Sequence, residues 1–278
     1  MEQTIYPQKE TKVMISSEKY ESADTSMTKR TGYRIAVINS SGNTGKSLVS
    51  NYMLRPNMDL QRHYVIGNLS MYSKTYSDEI VLSGKNFDEA LKALSNIESA
   101  IVDIAADNTE YVIDTMKHNS NSHKVFDYFL VPVVESAKEL EDSLNTIKAL
   151  LKLGVLPNSI KVIFNNTKST ENIDDKFEYL LSHLDELKIS YDTNAAIEHN
   201  IFYRRLSELD ISLSELLSIP IDEKKNRKEY LRTKKNPERT EEEYKELQAL
   251  VDLITTWRCA QSAVKNLNKV YQLLFAKL

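Results

Sequence analysis

Residues 33–53, YRIAVINSSGNTGKSLVSNYM, constrain this chain more than any other stretch. The apolar run Ile35-Ala36-Val37-Ile38 has the length of one buried strand. Small polar residues follow from Asn39 to Thr44, and Gly45-Lys46-Ser47 then opens a segment with helical spacing. Strand, small-residue loop and helix in that order make a phosphate-binding P-loop. Backbone N–H groups of such a loop and of the helix start converge on one point and favour an anion there. Ser41, Gly42, Asn43, Thr44, Gly45, Lys46, Ser47 and Leu48 are therefore the candidate cradle. Lys46 places its charge on the β- and γ-phosphates, and the Ser47 hydroxyl ligates Mg²⁺. Lys46 is expected to face solvent, held by the ligand rather than by the core. The pattern G-x-x-x-x-G-K-[ST] is met except at its first glycine, where this chain has Ser40.

The remainder reads as alternating strands and helices. Apolar runs at 63–69, 100–104, 126–134 and 160–165 join the first, giving five strands. Amphipathic helices are predicted at 87–97, from Asp107 or Asn108 as cap through His118, at 137–153 with Gly154 as C-cap, and at 173–187. Arg55-Pro56-Asn57 should end the P-loop helix, because proline cannot continue it. Strands apolar throughout, rather than on alternate residues, argue for an α/β fold with a mostly parallel sheet covered by helices on both faces. Residues 189–219 give only a weak reading of helices and turns.

Both ends depart from this pattern. Residues 1–31 are polar and aperiodic, the composition of a disordered tail. Residues 32–220 form the nucleotide-binding domain. Residues 221–278 read as a basic linker and C-terminal amphipathic helices. Lys224, Lys225, Arg227, Lys228, Arg232, Lys234 and Lys235 crowd together, ordinarily a solvated face, with direct DNA contact as the sharper alternative. Leu247, Leu250, Ile254, Trp257, Ala260, Val264, Leu267, Tyr271 and Leu274 then recur at steps of three and four. That stripe either packs back on the sheet or forms a partner or homodimer surface.

A net charge of −4 excludes a general polyanion binder. Cys259 is the single cysteine, so no disulfide forms within the chain, which fits the cytoplasm. No apolar run approaches the roughly 20 residues of a membrane span.

Two strand ends carry the remaining candidate chemistry. Asp103 closes the third predicted strand, where a carboxylate opposite a P-loop holds Mg²⁺ through water. Asn165 closes the fifth, where an amide can both donate to and accept from an adenine edge. Asn166, its neighbour, has the same capacity. The histidines show no metal-ligand spacing.

These segments together resemble deviant P-loop ATPases of the ParA/MinD type. The resemblance rests on RIAVINSSGNTGKS at 34–47, AIVDIAADN at 100–108, FDYFLVPVV at 126–134 and LGVLPNSIKVIFN at 153–165, in the family's order. It covers residues 33–215 and only loosely the C-terminal helices. It implies ATP and Mg²⁺ as ligands, with Lys46 and Ser47 on phosphate and metal, Asp103 as the switch aspartate and Asn165 on adenine. It further implies an ATP-dependent dimer working with a DNA-bound partner protein in plasmid partition or conjugative transfer. Ser41 stands where the family's loop has a lysine that reaches the partner subunit's nucleotide, and Asn43 where it has a second glycine. The place of the family's water-orienting aspartate holds Asn68 or Ser70. These departures predict weak ATP-driven dimerisation and slow hydrolysis, or a nucleotide-gated adaptor that barely hydrolyses. A small-molecule kinase would need an arginine-bearing lid, and no segment reads as one.

Overall fold

The computed structural model describes residues 32–68, 77–168, 172–209, 211–234 and 238–275. The tail expected at 1–31 lies outside them, as do Leu69, Ser70, Lys235 and Pro237. Seven parallel strands form one sheet: β1 (Arg34–Val37), β2 (Arg62–Ile66), β3 (Glu79–Leu82), β4 (Ala100–Ile104), β5 (Tyr128–Val133), β6 (Ile160–Thr167) and β7 (Ala196–Glu198). Their order is β3-β2-β4-β1-β5-β6-β7. The expected parallel α/β sheet is thus present, with two strands more than the sequence predicts. β3 is a four-residue edge strand in which no residue is fully buried and Glu79 interrupts the apolar pattern, and β7 has three residues, so neither makes a conspicuous apolar run. β1 lies between β4 and β5, where the chain's winding direction reverses and an open α/β sheet leaves a crevice.

The P-loop helix consists of α1 (Lys46–Leu48), a π-helical stretch Val49–Leu54, and α2 (Arg55–Asn57). It continues one residue past Pro56 instead of stopping there. Proline lacks an N–H and crowds the carbonyl four residues back. In the π stretch the bonds reach five residues back, Arg55 N–H to Ser50 O among them, which widens the ladder ahead of the ring.

Alternation along β1 divides the core. Ala36 and Ile38 face α3 (Phe87–Leu94), α4 (Ala106–His118) and α5 (Ala137–Lys152), packing with Leu91, Val112 and Leu144. The C-cap of α5 is Leu153 rather than the expected Gly154, which follows it in the left-handed region at φ +90°. The helix expected at 173–187 is broken into α6 (Ile173–Lys176) and α7 (Glu178–Glu186). Phe177 leaves helical geometry between them and packs its ring against Phe164, centroids 4.9 Å apart.

Ile35 and Val37 face the opposite side, onto Met53 and Leu54 of the P-loop helix. Beyond β7 come α8 (Phe202–Leu209), α9 (Leu213–Ser218), α10 (Ile221–Thr233) and the 35-residue α11 (Glu241–Phe275). The basic run is therefore mostly helix α10 rather than linker. Arg227 makes a two-bond contact with Glu246 of α11 (2.8 and 2.6 Å), and Lys234 pairs with Glu243. Of the two readings of the C-terminal stripe, packing on the sheet is the observed one. Leu267, Val270 and Leu274 share a cluster with Ile35 and Val37, so residues 221–278 do not build a separate core. Ala260 and Ala263 pack on Phe202, Leu206, Leu213 and Leu216 of α8 and α9. The stripe from Ala260 to Leu274 thus packs mainly within the chain, while Leu247 and Trp257 nearer the start of the helix are half-buried. Among the described residues no helix is long and apolar enough to cross a membrane.

Leu267 is wholly buried, so Leu267→Ala should cost about 3 kcal/mol in denaturant unfolding, as buried leucine truncations do. Tyr244→Ala on the same helix, 58% exposed, should stay within about 0.5 kcal/mol. Equal stability for both variants would mean that the C-terminal half of α11 is not seated on the sheet.

Candidate phosphate and metal site

At the C-terminal end of β1 a cleft of about 680 Å³ is lined by Gly42, Asn43, Gly45, Lys46, Ser47 and Leu48 of the loop and helix start. Asn68 after β2, Asp103 on β4, and Ala105, Ala106 and Asp107 after β4 complete it. Asp103 arrives there because β4 is the immediate neighbour of β1, with Val37 paired to Asp103 in register. Two of the sequence-predicted cradle residues, Ser41 and Thr44, and the predicted adenine contact Asn165 are not among the lining residues. Ser41 is buried with its N–H on Asn39 Oδ1 (2.9 Å), Thr44 is wholly buried, and Asn165 lies beneath the loop.

Gly45 is the position where local geometry admits no other residue. Its φ is +89°, left-handed, and a Cβ there would stand 2.1 Å from Asn165 Nδ2. That amide donates to Thr44 O (2.8 Å) and is 6% exposed. Asn165 therefore supports the loop from below with one N–H, and the adenine contact the resemblance implies has the second N–H and the oxygen left to make it. Asn166 is exposed in the left-handed region, its Oδ1 2.8 Å from His199 Nδ1. The two amides that the sequence leaves equivalent thus have separate positions.

Contrary to the expectation from the sequence, Lys46 does not face solvent. It is 5% exposed, and its ammonium donates to Ser41 O. Burial lowers its pKa from 10.5 to about 8, while the carboxylates of Asp103 and Asp107 pull it back up. Asp103 is 1% exposed. Burial raises its pKa from 3.8 to about 6, against the opposing pull of the Ser47 hydroxyl, the Lys46 ammonium and Ser50. Asp103 Oδ1 and Thr44 Oγ1 are buried without hydrogen-bond partners. Such orphaned oxygens cost free energy unless something satisfies them. Mg²⁺ takes one or two carboxylates or hydroxyls and fills its remaining positions with water and phosphate oxygens. Asp103 with Ser47 fits that requirement, and Lys46 fits a phosphate. Among the described residues no cluster of three or more His, Cys, Asp or Glu side chains could hold a metal.

Sequence reasoning missed Asp107 as a cleft residue, taking it or Asn108 for a helix cap. α4 in fact begins at Ala106 and its N-cap, Ala105, makes no side-chain cap bond. The spacing Asp103-x-x-x-Asp107 across a strand end was the available signal. Asn39 was also missed. Wholly buried, it donates to Pro132 O (2.9 Å) and Ser143 Oγ (2.7 Å) while accepting from Ser41.

Neither a family model nor a curated protein sequence matches this chain. Similar solved structures include the ATP complex of a McdA variant from Cyanothece, at 15% identity and TM-score 0.43, covering 66% of this chain and 90% of that one. A ParA-family ATPase from Chlorobium tepidum TLS is similar at 15% identity and TM-score 0.39, covering 64% and 87%. The septum site-determining protein MinD with Mg-ADP, from Pyrococcus horikoshii OT3, is similar at 14% identity and TM-score 0.44, covering 80% and 94%. No residue role is carried from them to this chain.

The buried charges give the ligand-free protein a defined pH dependence. With a folded pKa near 6, Asp103 keeps a proton that the unfolded chain releases near 3.8, so stability falls as pH rises through that window. Lys46 acts oppositely, adding stability as pH rises from about 8 to 10.5. Asp103→Asn has no charge to bury. In metal- and nucleotide-free buffer it should match the parent below pH 3.8 and melt higher above about pH 6. A gap that is constant across this range would mean Asp103 is not ionising in a buried place.

Proposed function

We propose that this protein binds Mg²⁺-ATP in the cleft and hydrolyses it slowly, as a ParA-like ATPase most similar to the plasmid-stability protein StbB. The observation that carries the reading is the pairing of two buried, shifted charges, Lys46 and Asp103, at the rim of a loop held open by Gly45. Lys46 would exchange Ser41 O for phosphate oxygens, a stronger charge-assisted contact. Asp103 and Ser47 would hold the metal, and Gly42 to Leu48 would present N–H groups to the phosphates. Mg²⁺, when bound, supplies positive charge to the β- and γ-phosphate oxygens. Lys46 and the loop amides stabilise charge developing on the departing ADP.

In the cell the protein would act in the cytoplasm in plasmid partition or conjugative transfer, with ATP binding controlling its affinity for a DNA-bound partner protein encoded with it. Direct DNA contact is the lesser part of this proposal, since Lys225, Arg227 and Lys234 are engaged by Asp222, Glu246 and Glu243. A nucleotide-gated adaptor without appreciable hydrolysis is the second reading. It is favoured by Asn68, an amide rather than a carboxylate, in the cleft after β2. Phosphate release at saturating Mg²⁺-ATP separates the two.

Lys46→Ala should weaken Mg²⁺-ATP binding by about 10- to 100-fold, the value of one charge-assisted hydrogen bond, in calorimetric titration. Unchanged affinity would remove the phosphate role. Ser41 is neutral and buried, and a hydroxyl there cannot offset two triphosphates brought together. Sedimentation velocity should therefore show little ATP-dependent dimer in the unmodified protein, against a strong dimer if another cation crosses between subunits.

A further inference from the structure

The cleft holds a second carboxylate, Asp107, that metal and phosphate binding as described do not use. It lies in the first turn of α4, where an acidic residue is commonly no more than a favourable charge near a helix N-terminus. Here it is fixed in place. Asn108 Nδ2 donates to Asp107 Oδ1 (2.9 Å), and Asn108 Oδ1 in turn accepts the Gly84 N–H (3.0 Å) from the turn after β3. This approach requires glycine at 84, because a Cβ there would sit 2.3 Å from Asn108 Oδ1. Thr109 ties the same helical turn to the P-loop through Asn39 O (3.2 Å). The start of α4 is thus fastened on two sides, and its one cleft-facing carboxylate has its orientation set by a relay from the sheet edge. Asp107 is also exposed, so its second oxygen can reach water, whereas Asp103 is buried at the metal position.

We propose that Asp107 orients the water that attacks the γ-phosphate, supplying from α4 the carboxylate that Asn68 cannot provide after β2. This rests on the ATPase reading above. The water oxygen bonds to Pγ as the bond from Pγ to the β–γ bridging oxygen breaks. ADP keeps that bond's electron pair. Both water protons leave on dihydrogen phosphate, which then releases one to solvent. Asp107 accepts a hydrogen bond from the water and aims its lone pair at Pγ, and Asn108 is a positioning residue acting through Asp107.

The test uses the full chain, its Asp107→Asn variant, and Asn108→Ala. Asp107→Asn should bind ADP and a non-hydrolysable ATP analogue within about twofold of the parent, since it removes no phosphate or metal ligand. Phosphate release at saturating Mg²⁺-ATP should fall about 100-fold, the scale of losing one group that acts mainly in the transition state. Affinity for ADP with aluminium fluoride, which mimics γ-phosphate under attack, should weaken in parallel. That binding readout does not depend on turnover. Asn108→Ala should lower kcat by a smaller factor and leave KM unchanged. Phosphate release and aluminium fluoride binding at parental levels in Asp107→Asn would overturn the proposal. So would a parent protein that binds ATP yet neither releases phosphate nor captures the mimic, and nucleotide binding would then stand. A parent with no affinity for Mg²⁺-ATP would overturn both.

Discussion

The bond from Asn165 Nδ2 to Thr44 O is the contact on which the loop's shape depends. It seats the loop against the end of β6, and it excludes any side chain at position 45. The left-handed turn at Gly45 then releases the chain directly into the helix that begins at Lys46. A net hydrogen bond of this kind contributes only about 1 kcal/mol, but leaving the buried carbonyl unpaired costs about 1–3 kcal/mol. The constraint is thus stronger than the contact's own worth. It also couples the two halves of the sheet, since Thr44 follows β1 whereas Asn165 lies on β6, with β5 between them.

A second set of anchors acts from the opposite flank. Ser40, where the P-loop pattern has glycine, donates to Asp142 O (3.1 Å) on α5, while its N–H donates to Thr146 Oγ1 (3.1 Å). Asn39 reaches β5 and α5 with a single amide. The departure from the pattern is therefore compensated by tethering to α5. The loop is held on both sides and left open only toward the cleft. Buried polar groups are tolerated in this way only when most of their bonding capacity is met. Among the buried polar atoms left without a partner, Asp103 Oδ1 stands at the place argued to take ligand, and Thr44 Oγ1 lies in the loop behind it.

What was legible in the sequence follows from length scale. Five buried strands announce themselves because a strand covered on both faces must be apolar throughout, and the P-loop because its motif is local. The edge strand β3 is legible only with its neighbour in place, since Glu79 is tolerated through contacts with Arg55 and His63. The 35-residue helix α11 was visible as a stripe, but periodicity gives the face and not the surface it meets. Asp103 was found because strand ends at a P-loop have a known use. Asp107, four residues on, was hidden because an acidic residue near a helix start has an adequate local explanation. The exposure of Lys46 was misjudged for a related reason. A charged side chain is usually solvated, and only the assembled loop shows the Ser41 carbonyl that holds it inside.

The joining of α11 to the P-loop helix has a mechanical consequence. Asn57, the last residue of α2, donates to Asn268 Oδ1 on α11 (2.9 Å), and the two elements share the cluster under β1. From that joint the helix runs back toward Glu241, the end that carries the paired α10. From Asn268 back to Glu241 the helix spans about 40 Å at 1.5 Å per residue, so a tilt of ~5° about that joint would carry the far end roughly 3–4 Å. Because α8, α9 and α10 are packed along it, a tilt of α11 would carry them too, converting a small angular change beside the nucleotide cleft into a translation at a distant surface.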